Sequence, residues 1–128
     1  MKKPHENWFY FAKEDLRFAK AGLDEDDFYP HVCFLSQQAT EKAMKGFLVA
    51  NGKEYPKSHD LITLRRLMGV DWLEPYLPAL KKLSEIYIPI RYPDAMAGTL
   101  PGGLPDEEDA KKFYQWAEEI VALIESKI

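Results

Sequence analysis

From Val32 to Ala50 the residues Val32, Leu35, Ala39, Ala43, Phe47 and Ala50 recur at helical spacing, and Cys33, Phe34, Met44 and Leu48 widen the stripe. A helix that is apolar over this much of its circumference has to be surrounded by other helices. The helix is predicted from Tyr29 or Pro30 to Ala50, with Pro30 in the first turn, where its missing N–H would have no partner. Ala39, Ala43 and Gly46 permit close approach of a neighbour. Gly46 costs about 1 kcal/mol against Ala in a helix interior, which close packing would offset. A compact polar group is set into the same helix. Gln37, Gln38 and Glu41 lie about one turn apart, and Glu41 and Lys45 are spaced for an ion pair. These four residues suit a polar network, a subunit interface or a shallow groove.

The flanking segments supply the rest of a bundle. A first helix is predicted over Trp8–Ala21, with Trp8, Phe11, Ala12, Leu16 and Ala19 on one face and Gly22 as its stop. The acidic run Asp24-Glu25-Asp26-Asp27 reads as solvated loop before a helix N-terminus. Pro56-Lys57-Ser58-His59-Asp60 begins a third helix, with Ser58 as N-cap, Leu61, Leu64 and Met68 as its face and Gly69 as its stop. Asp71 to Glu74 has capping-box spacing, and the fourth helix turns Trp72, Tyr76, Leu80, Leu83 and Tyr87 inward. Pro75 and Pro78 make its first turns irregular. Asp106 to Asp109 has the same capping spacing and opens a last helix with Ala110, Phe113, Ala117, Ile120, Val121, Ile124 and Ile128 buried. Sustained alternation is absent outside Ile86–Ile90, so the fold class is all-α, a compact antiparallel bundle of four to five helices in one domain over residues 1–128. The long connection from Ile88 to Leu104, with two prolines early and three glycines later, breaks that economy of loops.

Composition narrows the function. The longest apolar runs fall far short of the roughly 20 residues needed to span a bilayer. The N-terminus lacks a signal-peptide core, so cytoplasm is the expected location. A single cysteine, Cys33, excludes an intrachain disulfide and reads as a buried thiol. The net charge of −4 gives no global nucleic-acid footprint, although a local basic cleft is compatible with it. There is no paired-cysteine, His-Glu-x-x-His, calcium-loop or phosphate-loop pattern, and no metal or cofactor is expected.

Two further segments carry candidate chemistry. In Arg91-Tyr92-Pro93-Asp94, Arg91 offers a fork of donors to phosphate, Tyr92 a ring for a base, and Asp94 an orienting carboxylate. An Arg91–Asp94 pair that organises the loop would use the same residues. In Lys57-Ser58-His59-Asp60, His59 can exchange a proton near neutral pH. Asp60 is adjacent in sequence and does not face it on a helix, so the two residues serve equally to fix the helix start. His5 reads as tail and His31 as a first-turn surface residue.

Taken in order, Ala12–Leu16, Tyr29–Lys45, Pro56–Leu61 and Tyr87–Asp94 resemble a stand-alone HEPN-domain protein from about Trp8 to Ile124. The resemblance implies a compact helical bundle, usually a homodimer, often encoded beside a minimal nucleotidyltransferase in toxin–antitoxin or nucleotide-associated pairs. Many members of that family are metal-independent RNases that use an Arg followed a few residues later by His. Arg91 matches the arginine, but Met96, Ala97 and Gly98 stand where the histidine is expected. The resemblance therefore implies a non-catalytic or weakly active protein that binds nucleotide, RNA or a nucleotidyltransferase partner. The alternative is an RNase using Arg91, with His59 as a displaced acid or base.

Overall fold

A computed structural model describes residues 3–86 and 104–128. The elements are α1 (Pro4–Asp24), α2 (Tyr29–Ala50), α3 (Leu61–Met68), a 3₁₀ turn (Glu74–Tyr76), α4 (Leu77–Glu85) and α5 (Glu107–Ser126). No strand occurs among the described residues. The fold is the all-α bundle read from the sequence. Tyr87, Arg91, Tyr92, Asp94, Met96, Ala97 and Gly98 lie outside the described residues.

The central helix is α2, which packs most extensively on α1, then on α5 and α3. Gly22 meets Val32, Lys42 pairs with Asp15, and Gly46 meets Trp8, so α1 runs antiparallel to α2. A Cβ on Gly46 would lie 2.9 Å from Trp8 Cβ and 3.0 Å from Phe9 Cε2. Bare backbone at Gly46 is thus what lets α1 sit against α2, and this packing offsets its helix cost. Ala39, Ala43, Met44 and Leu48 of α2 are fully buried, with Ala12 and Ala19 from α1 and Ala117, Ile120 and Ile124 from α5. The Lys13–Glu125 pair at 2.8 Å ties α1 to the end of α5.

Several local expectations need correction. Helix α1 is longer than Trp8–Ala21, and His5 lies in its first turn rather than in a tail. Phe9 rather than Phe11 is buried; Phe11 is 55% exposed, because the stripe Phe9, Ala12, Leu16, Ala19 leaves it off the α2-facing side. Gly22 does not stop the helix. It lies within α1, where a Cβ would come 2.9 Å from Val32 Cγ2, and the chain turns at Asp26, whose φ is 55°. Asp60 rather than Ser58 caps α3, accepting from the Ile62 N–H at 3.0 Å and the Thr63 hydroxyl at 2.9 Å. The hydroxyl of Ser58 instead accepts from the Asp60 N–H. Asp71 to Glu74 forms no capping box; the Glu74 N–H donates to the Asp71 carbonyl and a 3₁₀ turn follows. The Asp106–Asp109 capping box does form. Ile128 lies beyond the end of α5 and is half exposed.

Candidate functional site

On α2, Ser36, Gln37, Thr40, Glu41 and Lys45 are polar and buried. The two hydroxyls are satisfied within the helix, Ser36 donating to the Val32 carbonyl and Thr40 to that of Ser36. The other three cannot be satisfied by their own backbone and instead form one cluster. The ammonium of Lys45 donates to Glu41 Oε2 at 3.0 Å, with both side chains 7% exposed. The amide of Gln37 donates to Glu41 Oε1 and to the His59 carbonyl, each at 3.2 Å. Gln38 donates to Gln37 Oε1 at 2.7 Å from the edge of the cluster.

His59 completes it. Its Nδ1 lies 3.0 and 3.1 Å from the two oxygens of Glu41. A carboxylate only accepts, so Nδ1 carries the hydrogen of this contact. The His59 side chain is 44% exposed, so a buried carboxylate holds an imidazole that reaches solvent. The histidine partner is therefore Glu41, eighteen residues away, and not the adjacent Asp60. Asp60 has its own task. Burial raises its carboxyl, but hydrogen bonds from Thr63, Ile62 and Ser84 outweigh this and hold it below the usual range. Since Ser84 belongs to α4, Asp60 fixes the His59 segment against two helices.

The structure thus brings Gln37, Gln38, Glu41, Lys45 and His59 together. Lys57 is exposed two residues before His59 and stands outside the cluster. Sequence reasoning missed Tyr55, whose ring lies 5.7 Å from Lys45 Nζ and packs edge-on to Trp8 at 5.0 Å. The signal was an aromatic residue just before Pro56, in a connection that has to return to α2. The Asp15–Lys42 pair at 2.6 Å was also missed, because the residues lie on different helices. Burial raises the Asp15 carboxyl, and Lys42 partly opposes the shift. Among the described residues no group of three or more His, Cys, Asp or Glu could hold a metal ion, and no helix is long and apolar enough to cross a membrane.

The central helix of this bundle thus carries a buried Glu–Lys pair joined to a half-exposed histidine. The HEPN domain family matches residues 5–127. The chain belongs to that family. It is 32% identical over 123 residues to "Putative toxin MJ1304" of Methanocaldococcus jannaschii, covering 88% of this chain and 80% of the relative. The crystal structure of TT1696 from Thermus thermophilus superposes with a TM-score of 0.84 at 32% identity, over 99% of this chain and all of that one. ST0689, described as an archaeal HEPN homologue, gives a TM-score of 0.78 at 30% identity over 98% of each chain.

Proposed function

We propose that the chain is the HEPN component of a toxin–antitoxin pair. In this reading it is a non-catalytic or weakly active protein that binds nucleotide or single-stranded RNA and pairs with a minimal nucleotidyltransferase. The observation that carries the ligand side is the Glu41–His59 pair: a buried carboxylate fixes the orientation of an imidazole at the surface. With Nδ1–H held by Glu41, the ring presents Nε2 to solvent, an acceptor for a base edge when neutral and a donor to phosphate when protonated, and a ring already fixed loses little freedom on meeting either. Lys57 adds a cation on the same segment, and Arg91, Tyr92 and Asp94 are proposed as further ligand contacts. The relative named as a toxin supports the toxin–antitoxin setting. A homodimer of the bundle belongs to the same proposal and would appear as a dimer in sedimentation.

The test is a titration of the purified chain with a labelled single-stranded RNA and, separately, with ATP. His59→Gln and Arg91→Ala should each weaken binding by roughly tenfold, the scale of one lost charge-assisted contact. Unchanged isotherms for both folded variants would reject the site.

One observation favours the RNase alternative. A base oriented by a third group is the arrangement used to activate a hydroxyl, and Glu41 orients His59 in that way. RNA cleavage without metal also requires stabilisation of charge on phosphate, a role open to Arg91. EDTA-resistant cleavage abolished by both His59→Ala and Arg91→Ala would establish this reading over the binding one.

A further inference from the structure

At the tip where α1 turns into α2, Phe18, Gly22, Phe28, His31, Val32 and Leu35 line an open groove of about 650 Å³, with Phe34 beside them. Phe18 is 71% exposed and Phe28 54% exposed, unusual for two large rings that share one depression. Phe28 is also held at φ 61° and ψ 30°, the left-handed region in which a bulky side chain is a genuine outlier. Two hydrogen bonds keep it there. The Asp27 carboxylate accepts from the Phe28 N–H at 2.8 Å, and the Phe28 carbonyl accepts from the Val32 N–H at 2.9 Å. Backbone strain is thus maintained at a residue whose ring ends up against solvent, a pairing that points to a role outside the core.

The acidic turn Asp24–Asp27 joins Gly22 to Phe28, two residues that line this groove. The Asp27 N–H donates to the carbonyl of Gly22, a lining residue, which keeps the turn beside the groove. Asp24 is paired with Lys20 at 2.5 Å. No ion pair holds Glu25 or Asp26 among the described residues, although Asp26 lies in the field of Lys111, which pairs with Glu107 on α5. An apolar trough beside an acidic turn complements an apolar helix face flanked by Lys or Arg. A second copy of the same groove is a poor occupant, because an isologous contact would bring two Asp24–Asp27 runs into one interface.

We infer that the α1–α2 groove is a docking site for a basic amphipathic helix of a partner protein, with Phe18 and Phe28 as its anchors and Glu25 and Asp26 as its charge contacts. The site is separate from the His59 face, so its variants should leave nucleotide or RNA titrations as in the wild type.

The probe is a fluorescein-labelled helical peptide of roughly five turns, with Leu on one face and Lys on the other, matched by a second peptide with Glu in place of Lys. Fluorescence anisotropy with the full chain reads the affinity. The Lys peptide should bind, and Phe18→Ser and Phe28→Gly should each weaken it about tenfold, as expected for aromatic anchors. The Glu peptide should bind at least about tenfold more weakly, and Glu25→Gln with Asp26→Asn should lower the Lys-peptide affinity and flatten its salt dependence. Phe28→Gly relieves the left-handed strain, so its thermal unfolding should not fall, and Phe18→Ser carries the test should it do so. Equal binding of the two peptides, or wild-type affinity in both aromatic variants, would overturn the assignment. So would conversion of a dimer to a monomer by Phe18→Ser, which would give the groove to a second copy.

Discussion

Replacing Lys45 with Met isolates the energetics of the α2 cluster. The ammonium is 3.0 Å from Glu41 Oε2, and both side chains are 7% exposed, so little water can replace it. Removing one member of a buried pair costs about 3–5 kcal/mol, because a buried charge is left uncompensated. Glu41 keeps its bonds from Gln37 and His59, which puts the expected loss at the lower end, about 3 kcal/mol. For a chain of this size that is a fall in Tm of roughly 10 °C. The double variant Glu41→Leu with Lys45→Met removes both charges together and should recover part of the loss, since apolar residues often replace such pairs at little cost while Gln37 keeps the His59 carbonyl and the ring of His59 turns to solvent. Urea unfolding followed by tryptophan fluorescence measures each variant, and a double-mutant cycle gives the coupling. A cost of less than about 1 kcal/mol for Lys45→Met, the range of an exposed pair, or simple addition of the two single losses would show that the pair is not coupled in this way.

Asp60→Ala should cost about 1 kcal/mol through loss of the α3 cap, read by the same unfolding assay. Because the folded carboxyl of Asp60 sits below its ordinary value, its contribution is full above the ordinary carboxylate range and is lost as pH falls through the lowered value; Asp60→Asn should therefore flatten the acid limb of the stability curve. Gly46→Ala should destabilise by about 1–2 kcal/mol net, since overpacking against Trp8 and Phe9 exceeds the gain in helix propensity. Cys33 is fully buried, and burial, with Asp109 and Asp106 adding to it, pushes its thiol up to about 12. A thiol reagent should therefore modify the native protein only at the rate of opening, and rapid labelling would contradict that burial.

What the sequence made legible was periodicity. The stripe of α2, that of α5 up to Ile124 and the Asp106–Asp109 box are local patterns, and each survives in the structure. Legibility ended where two oxygens or two turns compete for one role. Asp60 displaced Ser58 because its carboxylate reaches both Ile62 and Thr63, and Gly22 stayed helical because Val32 occupies the space a side chain would need. The polar residues of α2 were visible as a group, but the His59 partner was not. Its contact with Glu41 depends on how the Lys53–Asp60 connection folds back across α2, and no spacing rule encodes that return. Phe28 carried no signal either, because its left-handed backbone is set by Asp27 and Val32 and not by its own preference.

The most direct measurement of the functional reading is a nitrogen-15 NMR titration of the histidine rings with single-stranded RNA. Free His59 should show a protonated, hydrogen-bonded Nδ1, and its ring resonances should move on RNA addition while those of His5 and His31 stay in place. A His59 ring that is Nε2-protonated in the free chain, or that remains unmoved at saturating RNA, would contradict that reading.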